Sequence, residues 1–435
     1  MTDTLVMIIG IDGSRAFAKE RTGTENYSYQ LLRNLIAIDT KNKDLSLRSR
    51  TLSFADAKHK NPSSNSRTLS FADAKHKNPS SNSGTLSFAD AKHSYLIYLR
   101  PGQEEMVRKE DWPENFKFKV IGFPRLWTQL GMAARTFIDP LDVLFVPSHT
   151  LPLLRRPGLK TVITVHDLGA EYLPSSHQLK QVLYLNLMTH YQLSTATRII
   201  AVSDSTKKDI QFKTKVPLSR IDVIYEGVDE NLFRKLSIDI QNSTLNKYIL
   251  TKKKYFLFIG TIQPRKNIER IIKAFAAFLK TSKKNDYLLV LAGGKGWKSE
   301  GIYKLPQELG IEGAVRFIGR VSNEELAILY NGATALVYPS LFEGFGLPIV
   351  EAFACGCPVI TSNISSMPEV AGDAAILVDP YRIEEITEAM SDLATNESIR
   401  SSLIQKGSLM LKKFSWKKCA EETLKVIEKV GKSKK

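Results

Sequence analysis

Length, composition and charge already exclude several protein classes. The 435 residues suggest two domains, because a single hydrophobic core rarely grows that large. Hydrophobic residues make up 43% of the chain without an apolar run that could span a bilayer, and three cysteines are too few for a disulfide framework. The formal net charge of +16 indicates an anionic partner.

The first residues of the chain predict where the protein is located, and its motifs and charges predict which partner it binds. Residues 1–10 lack the basic segment of a signal peptide, so we predict a cytoplasmic protein. The sequence has no zinc-finger spacing, aromatic-basic RNA signature or basic region leading into heptads, and we therefore expect no nucleic acid partner. Nucleotide phosphates are the favoured ligand. Peripheral contact with an anionic membrane, at its inner face, is a second expectation.

Strands and helices alternate along the first half of the chain. This pattern is typical of a parallel sheet covered by helices. We predict a helix over 26–36 and strands over 6–11, 95–99, 143–146, 161–165 and 198–202.

A tandem repeat interrupts this alternation. The segment Thr-Leu-Ser-Phe-Ala-Asp-Ala-Lys-His starts at Thr51, Thr68 and Thr85, with a period of 17 residues. Each copy carries too little apolar material to form a packed repeat array, so we interpret 51–93 as a flexible insertion in the first domain. The repeat also explains the regular spacing of three histidines, for which metal binding is the weaker alternative. They are His59, His76 and His93.

The second half begins a new set of alternating elements. We predict a helix over 268–279 and strands over 255–259, 287–292, 315–318, 333–338 and 358–361. The sequence therefore indicates an α/β fold with two doubly wound domains, which we place at 1–240 and 241–413. A hinge is expected in the polar, lysine-rich passage 234–254. A terminal helix is predicted over 417–430.

Two glutamates flank a glycine-rich turn in Glu343-Gly-Phe-Gly-Leu-Pro-Ile-Val-Glu351. A predicted strand precedes the turn and Pro348 suits the start of a helix, so an anion could bind at the helix N-terminus. We expect Glu351 in the first helical turn, facing the ligand. The alternative is that Glu351 only complements the helix dipole and that Glu343 is a solvated loop residue. The amides that would face the ligand belong to Phe345, Gly346 and Leu347.

Adjacent cations, Arg265 and Lys266, lie in the loop after the first strand of the second half. A planar guanidinium and a mobile ammonium suit a diphosphate leaving group. The alternative is a solvated loop with Asn267 as a helix cap. In doubly wound folds ligands lie beyond the carboxyl ends of the strands, so we expect a pocket in the cleft between the domains.

From about Tyr255 to Asp379 the sequence resembles the nucleotide-sugar domain of retaining family-4 glycosyltransferases with the GT-B fold. The resemblance rests on the two glutamates separated by seven residues and on the Pro-Arg-Lys-Asn segment at 264–267. The stretches 369–373 and 227–229 are also similar. The resemblance implies two Rossmann-like domains facing a central cleft and a terminal segment, 414–435, that returns to the first domain.

The resemblance also implies roles for individual residues. Glu351 would hold the ribose hydroxyls, Glu343 would contact the donor sugar at the reaction centre, and Arg265 and Lys266 would hold the diphosphate. The remaining positions are less specific. They are Val321 beside the base, Gly23 near the donor phosphate where many relatives carry two glycines, His166 as a catalytic or substrate contact, Asp167 on the acceptor side, and His149 with a weaker claim.

The reaction implied by the resemblance is transfer of a hexose, mannose or glucose in type, from a GDP- or UDP-linked donor to a glycan or lipid-linked acceptor. Configuration would be retained, without a metal and without a cofactor beyond the donor. A glycosidase is disfavoured because Arg265 and Lys266 suit a phosphate leaving group. A non-catalytic sugar-nucleotide-binding protein and a GT-B epimerase or phosphorylase remain as alternatives.

Overall fold

The computed structural model describes residues 6–18, 21, 23–39, 92–109, 112–123, 125–148, 150–168, 188–250, 254–282 and 286–433. Most of the tandem repeat, including His59 and His76, lies outside these ranges, as does His149.

The first sheet has seven parallel strands within the described residues, in the spatial order β3-β2-β1-β4-β5-β6-β7. Their bounds are β1 Ile8–Asp12, β2 Ser94–Leu99, β3 Phe116–Val120, β4 Val143–Val146, β5 Lys160–Val165, β6 Arg198–Ala201 and β7 Ile221–Val223. The chain order reverses between β1 and β4. In doubly wound sheets such a switch point opens a crevice for ligands.

The second sheet repeats this plan with six described strands in the order β10-β9-β8-β11-β12-β13. Their bounds are β8 Lys254–Ile259, β9 Tyr287–Ala292, β10 Val315–Gly319, β11 Ala335–Tyr338, β12 Val359–Ser362 and β13 Ile376–Val378.

Three strands were not predicted from the sequence, namely β3, β7 and β13. All three lie at sheet edges, where strands are short or, as in β3, alternate with exposed lysine.

Helices cover both sheets. In the first half they are α1 Gly23–Asp39, α2 Glu104–Val107, a π-helical turn Trp127–Met132 continuing into α3 Ala133–Ile138, helical residues 188–195, and α4 Asp204–Thr214. In the second half they are α5 Ile238–Lys247, α6 Ile268–Ser282, α7 Glu300–Glu308, α8 Asn323–Gly332, α9 Leu347–Cys355, α10 Met367–Ala371, α11 Ile383–Thr395, α12 Glu397–Met410 and α13 Trp416–Lys432. Helix α5 occupies the passage where sequence analysis expected only a hinge.

The C-terminal helix α13 shares a hydrophobic core with the first sheet. Its buried residues Leu424 and Ile427 pack in one cluster with Ile9 and Leu35, and the helix contacts α1 and the middle strands of that sheet. The last 17 residues of regular structure therefore tie the end of the chain to the first domain.

The end of the third repeat copy is part of the folded core, which corrects the prediction of a flexible segment up to that point. The His93 side chain is buried, and its Nε2 lies 3.1 Å from Glu428 Oε1 on α13. Its backbone amide donates to Asp39 at the end of α1. Since both partners belong to helices of the first domain, His93 joins β2 to them.

The chain crosses itself where the second half returns to the first. Residues Val228 and Ser415 form an isolated parallel bridge beside Gly227. A Cβ atom at Gly227 would overlap the backbone of Ser415 and Trp416. Close approach of two backbones therefore requires glycine at this position.

We expect Gly227→Ala to lower the melting temperature by several degrees, because overpacking against rigid backbone costs about 1–3 kcal/mol. Gly301→Ala is the matched control, since a Cβ there meets no atom within 4 Å and alanine favours the helix. Thermal unfolding followed by circular dichroism makes the comparison. An unchanged melting temperature for Gly227→Ala would show that the two backbones can move apart and that glycine is not required at this position.

Candidate functional site

A cavity of about 660 Å³ lies between the two domains. Its wall includes every described residue that sequence analysis assigned to the site. They are Gly23, His166, Asp167, Arg265, Lys266, Val321, Glu343, Phe345, Gly346, Leu347 and Glu351. Residues far apart in the sequence thus meet in one cleft.

Arg265 and Lys266 belong to the 3₁₀ turn Pro264–Lys266, in the loop that connects β8 to α6. Asn267 ends the turn in the left-handed conformation with a φ of 62°, and its side chain donates to the carbonyls of Pro339 (3.0 Å) and Pro380 (2.7 Å). The Arg265 carbonyl accepts from the Leu341 amide at 2.9 Å. These hydrogen bonds fix the turn to the loops after β11 and β13. Asn267 is thus a buried anchor of the cations.

The two cations are neutralised mainly by Glu343. Lys266 Nζ donates to Glu343 Oε1 at 2.6 Å and to the Tyr338 hydroxyl at 2.7 Å. Arg265 Nη1 lies 3.5 Å from Glu343 Oε2 and 3.7 Å from Asp167 Oδ2. The Glu343 side chain is only 9% exposed, which excludes the reading of a solvated loop residue.

Burial and the neighbouring charges shift the pKa of Glu343 in opposite directions. Burial raises the pKa of Glu343, but the neighbouring Lys266 and Arg265 more than offset it, so the pKa falls below its usual value. Burial lowers the pKa of Lys266, in part against the attraction of Glu343. Glu343 therefore remains a carboxylate at neutral pH.

The glycine turn presents open backbone amides to the cavity. Helix α9 begins at Leu347, with Pro348 in its second position, and Gly346 has a φ of 104° that favours glycine. Within the described part of the chain, no acceptor contacts the amides of Phe345 and Gly346. The Leu347 amide has no intrahelical partner because it opens the helix. The turn is therefore suited to an anion.

Glu351 lies in the second turn of α9, not in the first turn as predicted, because the helix begins four residues earlier. Its Oε2 accepts a hydrogen bond from the Tyr330 hydroxyl at 2.9 Å. Burial, with a smaller effect of Glu226, raises the pKa of Glu351 to about 7. Glu351 is therefore partly protonated at neutral pH.

His166 stands on the first-domain wall with both ring nitrogens occupied. Nδ1 lies 3.0 Å from Glu226 Oε1, and Nε2 lies 3.1 Å from the Pro147 carbonyl oxygen. Burial lowers the pKa of His166, but Glu226 outweighs it and the net shift is upward. Because both neighbours are acceptors, both nitrogens carry protons. The predicted catalytic residue His166 has no lone pair with which to act as a base in this arrangement.

The other predicted positions border the same cavity. Gly23 is the first residue of α1, and Glu25 in the first turn of that helix pairs with Arg15 at 2.7 Å. Val321 lies just after β10. Asp167 faces Arg265 across the cleft.

Sequence reasoning missed three side chains that shape the site. Glu226 immediately precedes the Gly-Val-Asp stretch at 227–229, which was the available signal for it. Tyr330 and Tyr338 look like ordinary core aromatics in the sequence, and only the fold turns their hydroxyls toward Glu351 and Lys266.

The described residues contain neither a membrane-spanning helix nor a metal-binding cluster. No helix among them is both long and apolar enough to cross a membrane. No group of three or more histidine, cysteine, aspartate or glutamate side chains in the same ranges has the geometry of a metal site.

Comparison with known families divides the chain in two. Residues 241–410 match the model of glycosyl transferases group 1, and residues 89–232 match the model of glycosyltransferase family 4. Together these regions include most of the candidate site, with the exception of Gly23.

Individual relatives agree with the family models. The chain is 34% identical to the O-antigen chain mannosyltransferase B of Escherichia coli over 265 residues, which is 61% of this chain and 69% of that protein. It is 34% identical to the O-antigen chain mannosyltransferase RfbU of Salmonella typhimurium over 253 residues, or 56% and 65% of the two chains. The matches thus span about two thirds of each relative.

Solved structures show the same architecture at low sequence identity. The Anabaena HepE structure with UDP-glucose superposes with a TM-score of 0.67 at 15% identity, covering 97% of this chain and 100% of that chain. The two parallel sheets, the cleft and the family matches lead to one assignment. The chain belongs to the family-4, group 1 glycosyltransferases and has the GT-B fold.

Proposed function

We propose that the protein transfers a mannosyl unit from a nucleoside diphosphate sugar to a glycan or lipid-linked acceptor, with retention of configuration and without a metal. The observation that carries the proposal is the mostly buried pair Arg265 and Lys266, balanced mainly by Glu343 beside a helix with open amides. Mannose is favoured because both curated relatives described above are named mannosyltransferases.

The second domain supplies the groups for the donor. Arg265 can take one phosphate through its planar fork, Lys266 adds a point charge, and the amides of the glycine turn meet the other phosphate. Glu351 accepts the ribose hydroxyls. These charges neutralise the diphosphate as it leaves, which is the part that a divalent metal plays in other transferases.

Bond exchange takes place on one face of the sugar. The bond from the anomeric carbon to the phosphate oxygen breaks while the acceptor oxygen attacks from the same side, and the leaving phosphate takes the acceptor proton. Glu343 holds the sugar hydroxyls and stabilises positive charge at the anomeric carbon. His166 has both nitrogens occupied and contributes charge and shape, not a proton-accepting site.

The direct test is donor turnover in the presence of EDTA. We expect nucleoside diphosphate release from GDP-mannose to exceed that from UDP-glucose, and NMR of the products to show the donor's anomeric configuration. An absolute need for Mg²⁺ or Mn²⁺, or an inverted product, would contradict the proposal.

Substitutions at the cation turn should separate binding from chemistry. We expect Glu343→Gln, which keeps a partner for Lys266, and Glu343→Ala to lower kcat by about 100-fold or more. Free nucleoside diphosphate should bind both variants at least as tightly as wild type, because a carboxylate near the phosphates is lost. Calorimetry and steady-state kinetics measure the two effects. Unchanged turnover would remove Glu343 from the mechanism.

Arg265→Ala should instead weaken binding of the free diphosphate by about tenfold or more, since a charge-assisted pair is lost. Arg382→Ala is the matched control, because Arg382 pairs with Glu385 on an exposed part of the same domain. Equal dissociation constants for Arg265→Ala and wild type would refute the phosphate role.

Because the pKa of Glu351 is raised, we expect the affinity for nucleoside diphosphate to depend on pH. An ionised carboxylate accepts ribose hydroxyls, so the proton that Glu351 holds below pH 7 must leave before binding. We expect nucleoside diphosphate affinity to rise roughly tenfold between pH 6 and pH 8 through this group. In Glu351→Gln this component should disappear, leaving only the titration of the phosphates. The same pH slope in wild type and variant would exclude Glu351.

We also propose that the first domain rests on an anionic membrane surface. Leu126, Leu130, Phe137 and Ile138 lie on or directly before the π-helical turn and α3, and their exposed fractions are 64%, 50%, 55% and 67%. The side chains of Gln129 and Thr136 join this helix to the loop at 151–156. Arg125 is adjacent in sequence, and Lys119 and Arg135 share one carboxylate, Asp139, so the charge beside this surface is positive and favours anionic lipid.

Vesicle sedimentation can test this surface. We expect wild type to bind vesicles with anionic lipid and not neutral ones, and Leu130→Glu with Phe137→Glu to abolish that binding. Leu309→Glu, at an exposed leucine of the second domain, is the control. Equal sedimentation of the double variant and wild type would contradict the assignment.

A further inference from the structure

Glu369 makes a contact between the two domains that the donor-binding scheme does not use. It lies on the short helix α10 of the second domain. Its Oε1 accepts the backbone amide of Asp204 at 2.7 Å, and its Oε2 accepts that of Ser205 at 3.2 Å. Those amides open α4 of the first domain. A carboxylate from one domain therefore caps a helix of the other, where unpaired amides and the helix dipole favour it.

The same end of α4 also holds the glycine turn. Ser203 Oγ donates to the Gly344 carbonyl oxygen at 2.6 Å, and Thr206 Oγ1 donates to it at 3.1 Å. Ser203 Oγ simultaneously accepts from the Thr206 amide at 3.0 Å, which caps its own helix. Ser203, Thr206 and Gly344 are buried, whereas Glu369 and Ser205 are half-buried and Asp204 is exposed.

Gly344 lies between Glu343 and the open amide of Phe345. A Cβ atom at Gly344 would overlap the carbonyl oxygen of His166, so the turn is seated directly on the first-domain wall. Any sliding of the domains would move Glu343 relative to that wall. The hydrogen bonds from α4 therefore determine where the carboxylate stands relative to the acceptor side.

We propose that Glu369 is a positioning residue for sugar transfer, acting with Ser203 and Thr206 as a dock that seats the glycine turn on the first domain. The proposal rests on the proposed function. Glu369 caps α4, the capped end holds Gly344, and Gly344 sets the position of Glu343.

The dock should affect chemistry more than donor binding. Arg265, Lys266 and Glu351, which hold the nucleotide, all belong to the second domain and make no hydrogen bond with Glu369 in the described structure. Loss of the dock therefore leaves their arrangement intact. It loosens only the placement of the second domain against the first.

Kinetics of Glu369→Gln and Glu369→Ala provide the test. We expect kcat to fall at least tenfold, while the dissociation constant of free nucleoside diphosphate changes less than twofold. Gln should be the milder change, because its one oxygen can still accept one of the two amides. Ser203→Ala combined with Thr206→Val should give the same split, and its effect should not add to that of Glu369→Ala because both remove one dock.

Asp373→Ala is the matched control on the same segment. Asp373 is exposed and pairs with Lys406 inside the second domain, so kcat and nucleotide binding should both stay within twofold of wild type. A kcat for Glu369→Ala within twofold of wild type would overturn the proposal. Equal loss of kcat and nucleotide affinity would also overturn it, since that would indicate local damage to the second domain.

A readout that needs no substrate separates this proposal from the proposed function. Dyes on Gln211→Cys and Lys412→Cys report the distance between the domains by energy transfer, and the native cysteines are buried. We expect Glu369→Ala to broaden the distance distribution and Asp373→Ala to leave it unchanged. An unchanged distribution in Glu369→Ala would refute the dock even if the protein proved to have another activity.

Discussion

Two adjacent cations in a mostly buried turn set the central constraint on this protein. Lys266 is nearly inaccessible and Arg265 is 19% exposed, so their charges must be balanced inside the fold. Glu343 is close to both, while Asp167 is farther away and better solvated. Two carboxylates thus balance two cations, and in the proposed function a multivalent anion takes their place as the partner of Arg265 and Lys266.

The two similar domains contribute different groups to the site. The second domain brings the cations, the open helix end and Glu351 to the carboxyl edge of its sheet. The first domain contributes His166, locked by Glu226 and Pro147, and the capped end of α4. Helix α13 then ties the end of the chain to the first core. Donor groups are thus local to one domain, while the alignment of donor and acceptor depends on contacts between them.

Local features were predictable from the sequence. Continuous apolar runs predicted the central strands. The glycine turn with its two glutamates predicted the site, because backbone conformation and the chemistry of a helix end depend on residues that are neighbours in the sequence. Edge strands such as β3 and β13 were missed since short or lysine-alternating segments lack a continuous apolar run. The helix α5 was missed because its sequence is polar. The partners Glu226 and Tyr330 could not be predicted, since only tertiary packing brings them to His166 and Glu351.

The position of the bound diphosphate is the central test, and a crystal structure with bound GDP-mannose measures it directly. We expect phosphate oxygens within hydrogen-bonding distance of Arg265 and Lys266 and of the amides at the start of α9, with Glu343 turned toward the sugar. A diphosphate bound elsewhere, with Lys266 still held by Glu343 and the turn empty, would contradict the account.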